Sequence, residues 1–595
     1  LMKKDVRFQE LVELELELEL EGEGEGGHDR ERLQPESSSG TISDSNTTSG
    51  SDGTPSTMLS IWQEAVILAV PLAVSRLSWV TMKTTDTALI GHTGTLNLSA
   101  SAVADLYTQS TGVFINGWIL STLVSHAVGS TNKIMGGIWL QVSILVISCL
   151  AVPVMLSWLL CGPMLRLFGV SDDLIRPAAY YALILMTAIP ARIGVGQLSQ
   201  YLMAQGITNP LVKTGLFSMV LNLFLGITLV LGVGIPGWEG FGFWVCPVVT
   251  VVVEWVTLII YVYWFCHKKQ LHRQEGCWPE DGFQWAYITK QRVKEYVNLY
   301  YPAALAGASD WWRVSAIGVV AVSFNDHASL AVFNSSYRIA WMSLIVVGSI
   351  GSAMGVLLGK QLGKGDFNMA KRITWNCLIL ACIVIVVLAS VFYAIPGKVA
   401  LIFSTDPEVV DLYEEVALPL TTMMISMNLS VLLERVPLSC GRTQVVLWTG
   451  VIGSWAAQVP AVLLCTAFYR NDLYGLYTGV TLGYCALDVL LVSVVYTTDW
   501  AFYAKEAKRR SEEVVKSDID EEMVPSTITD DKELQLVDDD KDVATPKDYN
   551  DDILKNESDV KAYDKLNYHS TPSGYDSVVT DNRNTFDDDE SESLW

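Results

Sequence analysis

Between Ser60 and Tyr503 the chain is built almost wholly from apolar runs, each near or above the roughly 20 residues that a helix needs to cross a bilayer. Twelve can be placed, at about 62–90, 98–126, 135–160, 177–204, 210–232, 241–266, 296–323, 328–358, 372–395, 410–440, 444–468 and 474–500. Hydrocarbon offers no partner to a backbone N–H or C=O, so runs of this length cross it as helices. The predicted fold class is an all-α integral membrane protein with twelve transmembrane helices. Several runs exceed 25 residues and contain Pro71, Pro190, Pro302 or Pro437, which predicts kinked or tilted helices.

The charge of the chain is segregated. Half of its 595 residues are hydrophobic, yet its formal charge is −24. Residues 1–57 hold 14 acidic and 5 basic side chains, and residues 511–595 hold 26 and 8, so the stretch between them is nearly neutral. The expected organisation is a disordered tail over 1–57, a first lobe of six spans over 58–266, a cytosolic loop over 267–295, a second lobe of six spans over 296–505, and a disordered acidic tail over 506–595. The first tail opens on a Glu/Leu alternation to which no function is assigned. Tyr563-Asp-Lys-Leu566 and Tyr575-Asp-Ser-Val578 in the second have the form of sorting signals.

Loop charges set the expected orientation. One set of connections holds Lys133, Lys213, Lys268, Lys269, Arg273, Lys290, Arg292, Lys294, Lys360, Lys364, Lys371, Arg372 and Arg442, whereas the alternate set holds Arg166, Arg176, Lys398 and Arg470. Both termini are therefore expected in the cytosol, and the Lys505–Arg510 cluster agrees. The halves also read as repeats. Pro71 and Pro302 open the first span of each, Asn97-Leu-Ser-Ala resembles Ala328-Ser-Leu-Ala, and each half has an even number of spans. Two such repeats are related by a pseudo-two-fold axis along the membrane normal and enclose a central cavity.

Within the first span, Arg76, Lys83 and Asp86 stand where a lipid-facing helix carries no charge. At about 100° per residue they share one face. Charges inside a span are costly and mark a bundle interior, a pair, or an ion or substrate path. Asp86 is thus a candidate coupling carboxylate, the alternative being a structural Lys83–Asp86 pair three residues apart. Asp310 and Arg313 repeat the spacing in the seventh span, with Arg338 placed to reach them from the eighth. Those three read either as a mixed-charge site or as a buried ion pair that fixes helix register. Trp311 and Trp312 suit stacking on a flat substrate or a cation–π contact, the alternative being a packing role. Glu254, Glu434-Arg435, Arg192 and Asp105 are weaker candidates, and His92, His126 and His327 lie near span ends, where an interfacial role is expected.

The ten cysteines have neither disulfide-framework nor zinc spacing. No metal site or cofactor is expected, and no basic region points to nucleic acid. No nucleophile with a base stands out, so an enzyme is disfavoured.

Asp86-Thr87 followed by Gly91-His92, Tyr201-Leu-Met-Ala-Gln-Gly-Ile-Thr-Asn-Pro210 after the fourth span, Leu362-Gly-Lys-Gly365 after the eighth, Ser439-Cys-Gly-Arg442 after the tenth and Thr498-Asp-Trp500 at the last form an ordered set. In these motifs the chain resembles the multidrug and toxic compound extrusion (MATE) family over residues 60–505, in a eukaryotic-type form. The resemblance implies a secondary antiporter in which inward flow of protons, or less readily sodium, drives export of small organic compounds by alternating access of two lobes. It implies that Asp86 is the coupling aspartate of the first lobe and that Asn222 joins it. A second aspartate four residues on is replaced by Gly226, which favours a proton over a sodium site. The glutamates that family members exporting organic cations carry in the second lobe are also altered. That segment reads Asp310-Trp-Trp-Arg-Val-Ser315, with Arg338 in the eighth span, Met427-Asn428 in the tenth, and His126-Ala127 for a Gln-Ala pair.

Arg76, Lys83, Asp310, Trp311, Arg313 and Arg338 are therefore expected to line a cavity that tolerates anionic or zwitterionic substrates. Alternatives are a flippase or uniporter of related architecture, or a receptor or scaffold that has lost transport. The expected partners are a small organic substrate, a coupling ion and membrane lipid, with a monomeric chain in a plasma, vacuolar or endosomal membrane.

Overall fold

The computed structural model describes residues 57–234, 237–324, 326–403 and 406–522. The Glu/Leu alternation and both tyrosine motifs of the tails lie outside them. Among the described residues every regular element is helical.

The helices are α1 (Met58–Gly91), α2 (Thr95–Gly112), α3 (Leu120–Gly129), α4 (Met135–Leu159), α5 (Cys161–Leu167), α6 (Asp172–Met186), α7 (Ile189–Gln205), α8 (Asn209–Leu225) and α9 (Cys246–Ile260) in the first half. The second half holds α10 (Lys290–Val322), α11 (His327–Lys364), α12 (Phe367–Ala394), α13 (Pro396–Ala400), α14 (Pro407–Glu415), α15 (Ala417–Ser439), α16 (Thr443–Val451), α17 (Val459–Leu464), α18 (Leu473–Tyr496) and α19 (Trp500–Glu522). Ten stretches are long and apolar enough to cross a membrane, and the bent pair α6/α7 makes an eleventh. The twelfth is α10, whose 33 residues span about 50 Å despite Asp310 and Arg313.

Local chemistry explains where these helices begin and end. Thr57 accepts a hydrogen bond from the Ser60 amide at the start of α1, Asp366 from Met369 before α12, and Asp472 from Gly475 before α18. The α7 and α11 helices stop at Gly206 and Gly365, whose φ of 95° and 83° glycine adopts without penalty.

Two sequence expectations change. The run at 177–204 is not one rod: α6 and α7 meet at a 50° bend. Pro190, at the second residue of α7, sits where its missing N–H costs nothing, so the break falls just before it. The expected start of a disordered tail at 506 falls inside α19, which is helical to Glu522. Glu506 there accepts from Arg509 and pairs with Arg510, and both arginines also pair with Glu295.

The spans pack around two apolar cores, one for each half. The opening helices are exchanged between them. Ile61, Ala65 and Ala69 of α1 are buried in the second core, whereas Tyr296, Tyr300 and Ala303 of α10 are buried in the first. This reciprocal crossing is what a pseudo-two-fold relation of the halves requires. Large apolar side chains left on the outside, such as Val66, Ile67, Val319, Val386, Val489 and Phe468, form the surface that faces lipid.

On the face that carries the basic connections, the halves are drawn together. His126 Nε2 lies 2.9 Å from the Ser439 carbonyl, Lys360 donates to the Gln205 carbonyl at 3.0 Å, and Asn132 donates to the Ser511 carbonyl at 3.1 Å. Along α11, Gly351, Gly355, Gly359 and Gly363 recur every four residues and so share one helix face. They admit Arg435, Ser439, Ser125 and His126 so closely that an added Cβ would lie 3.1 Å or less from each neighbour. His126 is therefore not interfacial; it is buried between the halves.

Four segments among the described residues widen to π geometry. Residues Gly226–Val230, Tyr261–Lys268, Ile452–Gln458 and Cys465–Tyr469 form π-helical turns that continue α8, α9, α16 and α17.

Candidate functional site

The first polar site is built on α1, α8 and α9. Asp86 is 3% exposed, and its carboxylate accepts two hydrogen bonds, from Asn222 Nδ2 at 2.7 Å to Oδ1 and from Thr250 Oγ1 at 3.1 Å to Oδ2. Asn222 is fully buried, and its Oδ1 has no partner among the described residues. At Gly226, one turn beyond Asn222, the space for a side chain is filled by the Leu89 methyl groups. Lys83 does not pair with Asp86; it turns to the cavity described next. The sequence brings Asp86 and Asn222 together as expected. Thr250 escapes that reading because a threonine in a valine-rich span looks like any β-branched helix residue.

A cavity of about 830 Å³ lies between the halves. Its charged lining consists of Arg76, Lys83, Asp105, Arg192, Glu254 and Arg435, and its aromatic walls include Trp79, Trp118, Trp311 and Trp341. Arg192 Nε donates to both Glu254 oxygens, at 2.9 and 2.7 Å, and its guanidinium lies 5.9 Å from the Trp158 ring. Arg76 reaches from α1 to α11, donating to Ser352 Oγ at 2.8 Å and to Ser349 Oγ at 3.4 Å. Trp311 packs edge-on to Trp341, with ring centroids 6.2 Å apart. Of the residues expected in this cavity, Arg76, Lys83 and Trp311 line it.

Asp310, Arg313 and Arg338 are not among the lining residues. Arg313 is buried, 3.7 Å from Asp310; its guanidinium donates to Tyr484 Oη at 3.1 Å and stands 4.9 Å from that ring. Asp310 also accepts from Ser454 Oγ at 3.3 Å. Asp310 and Arg313 thus lie within ion-pair distance, with Arg313 buried and the Asp310 side chain 40% exposed, and Arg338 makes no ion pair with them among the described residues. A second carboxylate in this half, Asp488, is 8% exposed and accepts from Ser430 Oγ at 2.6 Å. The sequence reading passed over it, although a lone charge in a span otherwise rich in leucine and valine is the signal that could have found it.

Among the described residues no group of three or more His, Cys, Asp or Glu side chains is placed to hold a metal ion. The arrangement offers a buried carboxylate with uncharged hydrogen-bond partners in each half, Asp86 and Asp488, and a large inter-half cavity with cationic and aromatic walls.

The family model described as MatE matches residues 71–228 and 302–463, two blocks that begin at the equivalent prolines of the two halves. Multidrug and toxin extrusion protein 1 of Xenopus tropicalis is 24% identical over 474 residues, covering 77% of this chain and 78% of that protein. Protein DETOXIFICATION 14 of Arabidopsis thaliana is 21% identical over 447 residues, covering 74% and 90%. The crystal structure of the eukaryotic MATE transporter AtDTX14 has the same fold, with a TM-score of 0.67 at 20% identity over 76% of this chain and 99% of that one.

Proposed function

The chain belongs to the MatE family, whose members are membrane transporters and not enzymes, and on that premise we propose that it is a proton-driven antiporter exporting small organic compounds. The observation that carries the coupling role is Asp86, a buried carboxylate whose hydrogen-bond partners are the uncharged Asn222 and Thr250. A carboxylate held by an ion pair is locked in its charged form, whereas one held by neutral groups can take up and release a proton. Asn222 serves either state. As it stands it donates Nδ2–H to the carboxylate; turned over, its free Oδ1 accepts the O–H of the acid.

The cavity between the halves and the seam that closes the basic face support alternating access. A proton on Asp86 and a substrate in the cavity each shift the equilibrium between two arrangements of the halves through their differing affinity for them. With the basic face in the cytosol, both termini are cytosolic and the seam is the inner gate. Small organic substrates enter the wall of Trp79, Trp118, Trp311 and Trp341, and Arg76 and Lys83 contribute charge.

The test is efflux from proteoliposomes under an imposed pH gradient, with organic cations and anions of matched size. Wild type moves at least one panel in a gradient-dependent way, and Asp86→Asn abolishes that flux. Flux that persists in Asp86→Asn, or that follows a sodium gradient and ignores the proton gradient, overturns the coupling assignment.

A further inference from the structure

The cavity's cations are not balanced by its carboxylates. Arg192 and Glu254 pair with each other, which leaves Arg76, Lys83 and Arg435 facing Asp105. Arg76 and Arg435 come from different helices, α1 and α15, and converge on one stretch of α11. A Cβ at Gly348 would lie 3.8 Å from Arg76 Nη1, and one at Gly351 would lie 3.1 Å from Arg435 Cγ. Arg76 spends its donors on two serine hydroxyls, and the guanidinium of Arg435 makes no hydrogen bond or ion pair among the described residues. Glu434, its neighbour in sequence, makes no ion pair with it within 4 Å among the described residues and does not line the cavity, although the two charges act on each other through space.

Two guanidinium groups in a partly dehydrated cavity repel each other, and a fold retains such a pair where an anion relieves the repulsion. Guanidinium is the side chain best suited to this, because its planar fork meets a carboxylate through two parallel hydrogen bonds. The tryptophans in the same cavity supply flat apolar walls for the rest of such a molecule. We propose that Arg76 and Arg435 form a subsite for the carboxylate of an aromatic organic anion, with its ring packed against Trp311 and Trp341. This deepens the export reading, on which it rests for its transport role, by naming a substrate class.

Three probes share one ring and differ in charge: 2-naphthoate, the neutral 2-naphthamide, and a naphthylmethyl trimethylammonium cation. Their equilibrium affinities for the full chain in detergent are measured by calorimetry, with no gradient present. Wild type binds naphthoate in preference to the amide. Arg76→Gln and Arg435→Gln each weaken naphthoate about tenfold or more, the size of a lost charge-assisted bond, and change the amide less than twofold. Arg435→Lys keeps the charge without the fork and falls between.

Unchanged naphthoate affinity in both glutamine variants overturns the subsite, and so does preference of the wild type for the cation. Equal loss of naphthoate and amide in both glutamine variants and in Arg435→Lys also overturns it, because it assigns the arginines to packing. Arginine-dependent naphthoate binding with no flux of any probe in proteoliposomes sustains the subsite and overturns the export reading.

Discussion

Gly363→Ala offers a direct measure of whether the halves part along α11. A methyl group at this position would lie 2.8 Å from the carbonyl carbon of His126 and 3.1 Å from its Cα. Ordinary contact begins near 3.4 Å, the obstacle is backbone, and the His126 carbonyl oxygen lies closer still, so α11 and α3 must separate by more than the ~0.6 Å that the carbonyl carbon alone demands. Overpacking of this kind costs about 1–3 kcal/mol. That cost falls only on the arrangement in which the seam is shut, so the equilibrium moves toward the open arrangement by about 5- to 150-fold. Cys440 is the reporter, since it is 1% exposed and follows Ser439, whose carbonyl meets His126. With the other nine cysteines replaced by serine, maleimide modification of Cys440 accelerates by that factor in Gly363→Ala. Gly450→Ala, where nothing lies within 4 Å, leaves the rate unchanged. A parallel protein retaining only the fully buried Cys161 of the first core reports general loosening and stays slow. A Cys440 rate within twofold of wild type in Gly363→Ala would refute the seam as a moving contact.

Other outcomes follow from single pairs. Glu254→Leu strands Arg192 in the cavity wall and lowers stability by about 3 kcal/mol, whereas Arg192→Met with Glu254→Leu recovers part of the loss, as thermal unfolding of the two variants shows. On α19, the hydrogen bond from Arg509 holds Glu506 below the usual carboxylate value of 4.5. Its folded pKa is depressed, so its contribution is fully present above pH 4.5 and is lost as pH falls through the folded value. The difference in Tm between wild type and Glu506→Gln is accordingly constant at pH well above 4.5 and closes as pH falls through the depressed folded value. Glu275, held low in the same way by its hydrogen bond with Lys133, follows the same course. Both partners are well exposed, so Glu275→Gln shifts stability by under ~1 kcal/mol at neutral pH.

The membrane architecture was legible because it rests on length and apolarity, which a sequence states outright. Pro71 and Pro302 marked equivalent points in the two halves, and the family match begins at both. Asp86 was legible as a charge out of place in lipid, and Asn222 only through the resemblance to the family. What the sequence could not state was which way a side chain leaves its helix. Arg313 shares a face with Asp310 as the spacing required, but that face turns to Tyr484, away from the cavity. Arg435 looked like half of a Glu434–Arg435 unit, and only the packing of α15 on the glycines of α11 brings it beside Arg76. The bend at 187–188 was hidden because a proline in an apolar run reads alike as a kink or as a helix start. The glycine spacing along α11 was open to inspection, yet its meaning depends on the partner helix.

The π-helical turns have a consequence for how the two polar sites communicate with their surroundings. Such a turn holds one residue more than an α turn, and its removal advances everything beyond it by about 100° and 1.5 Å with the helix intact. One begins at Gly226, a single turn from Asn222, and another contains Ser454, the partner of Asp310. Each half therefore carries a phase dial set beside its carboxylate, by which a helix can be rotated out of register with its neighbours and returned without unwinding.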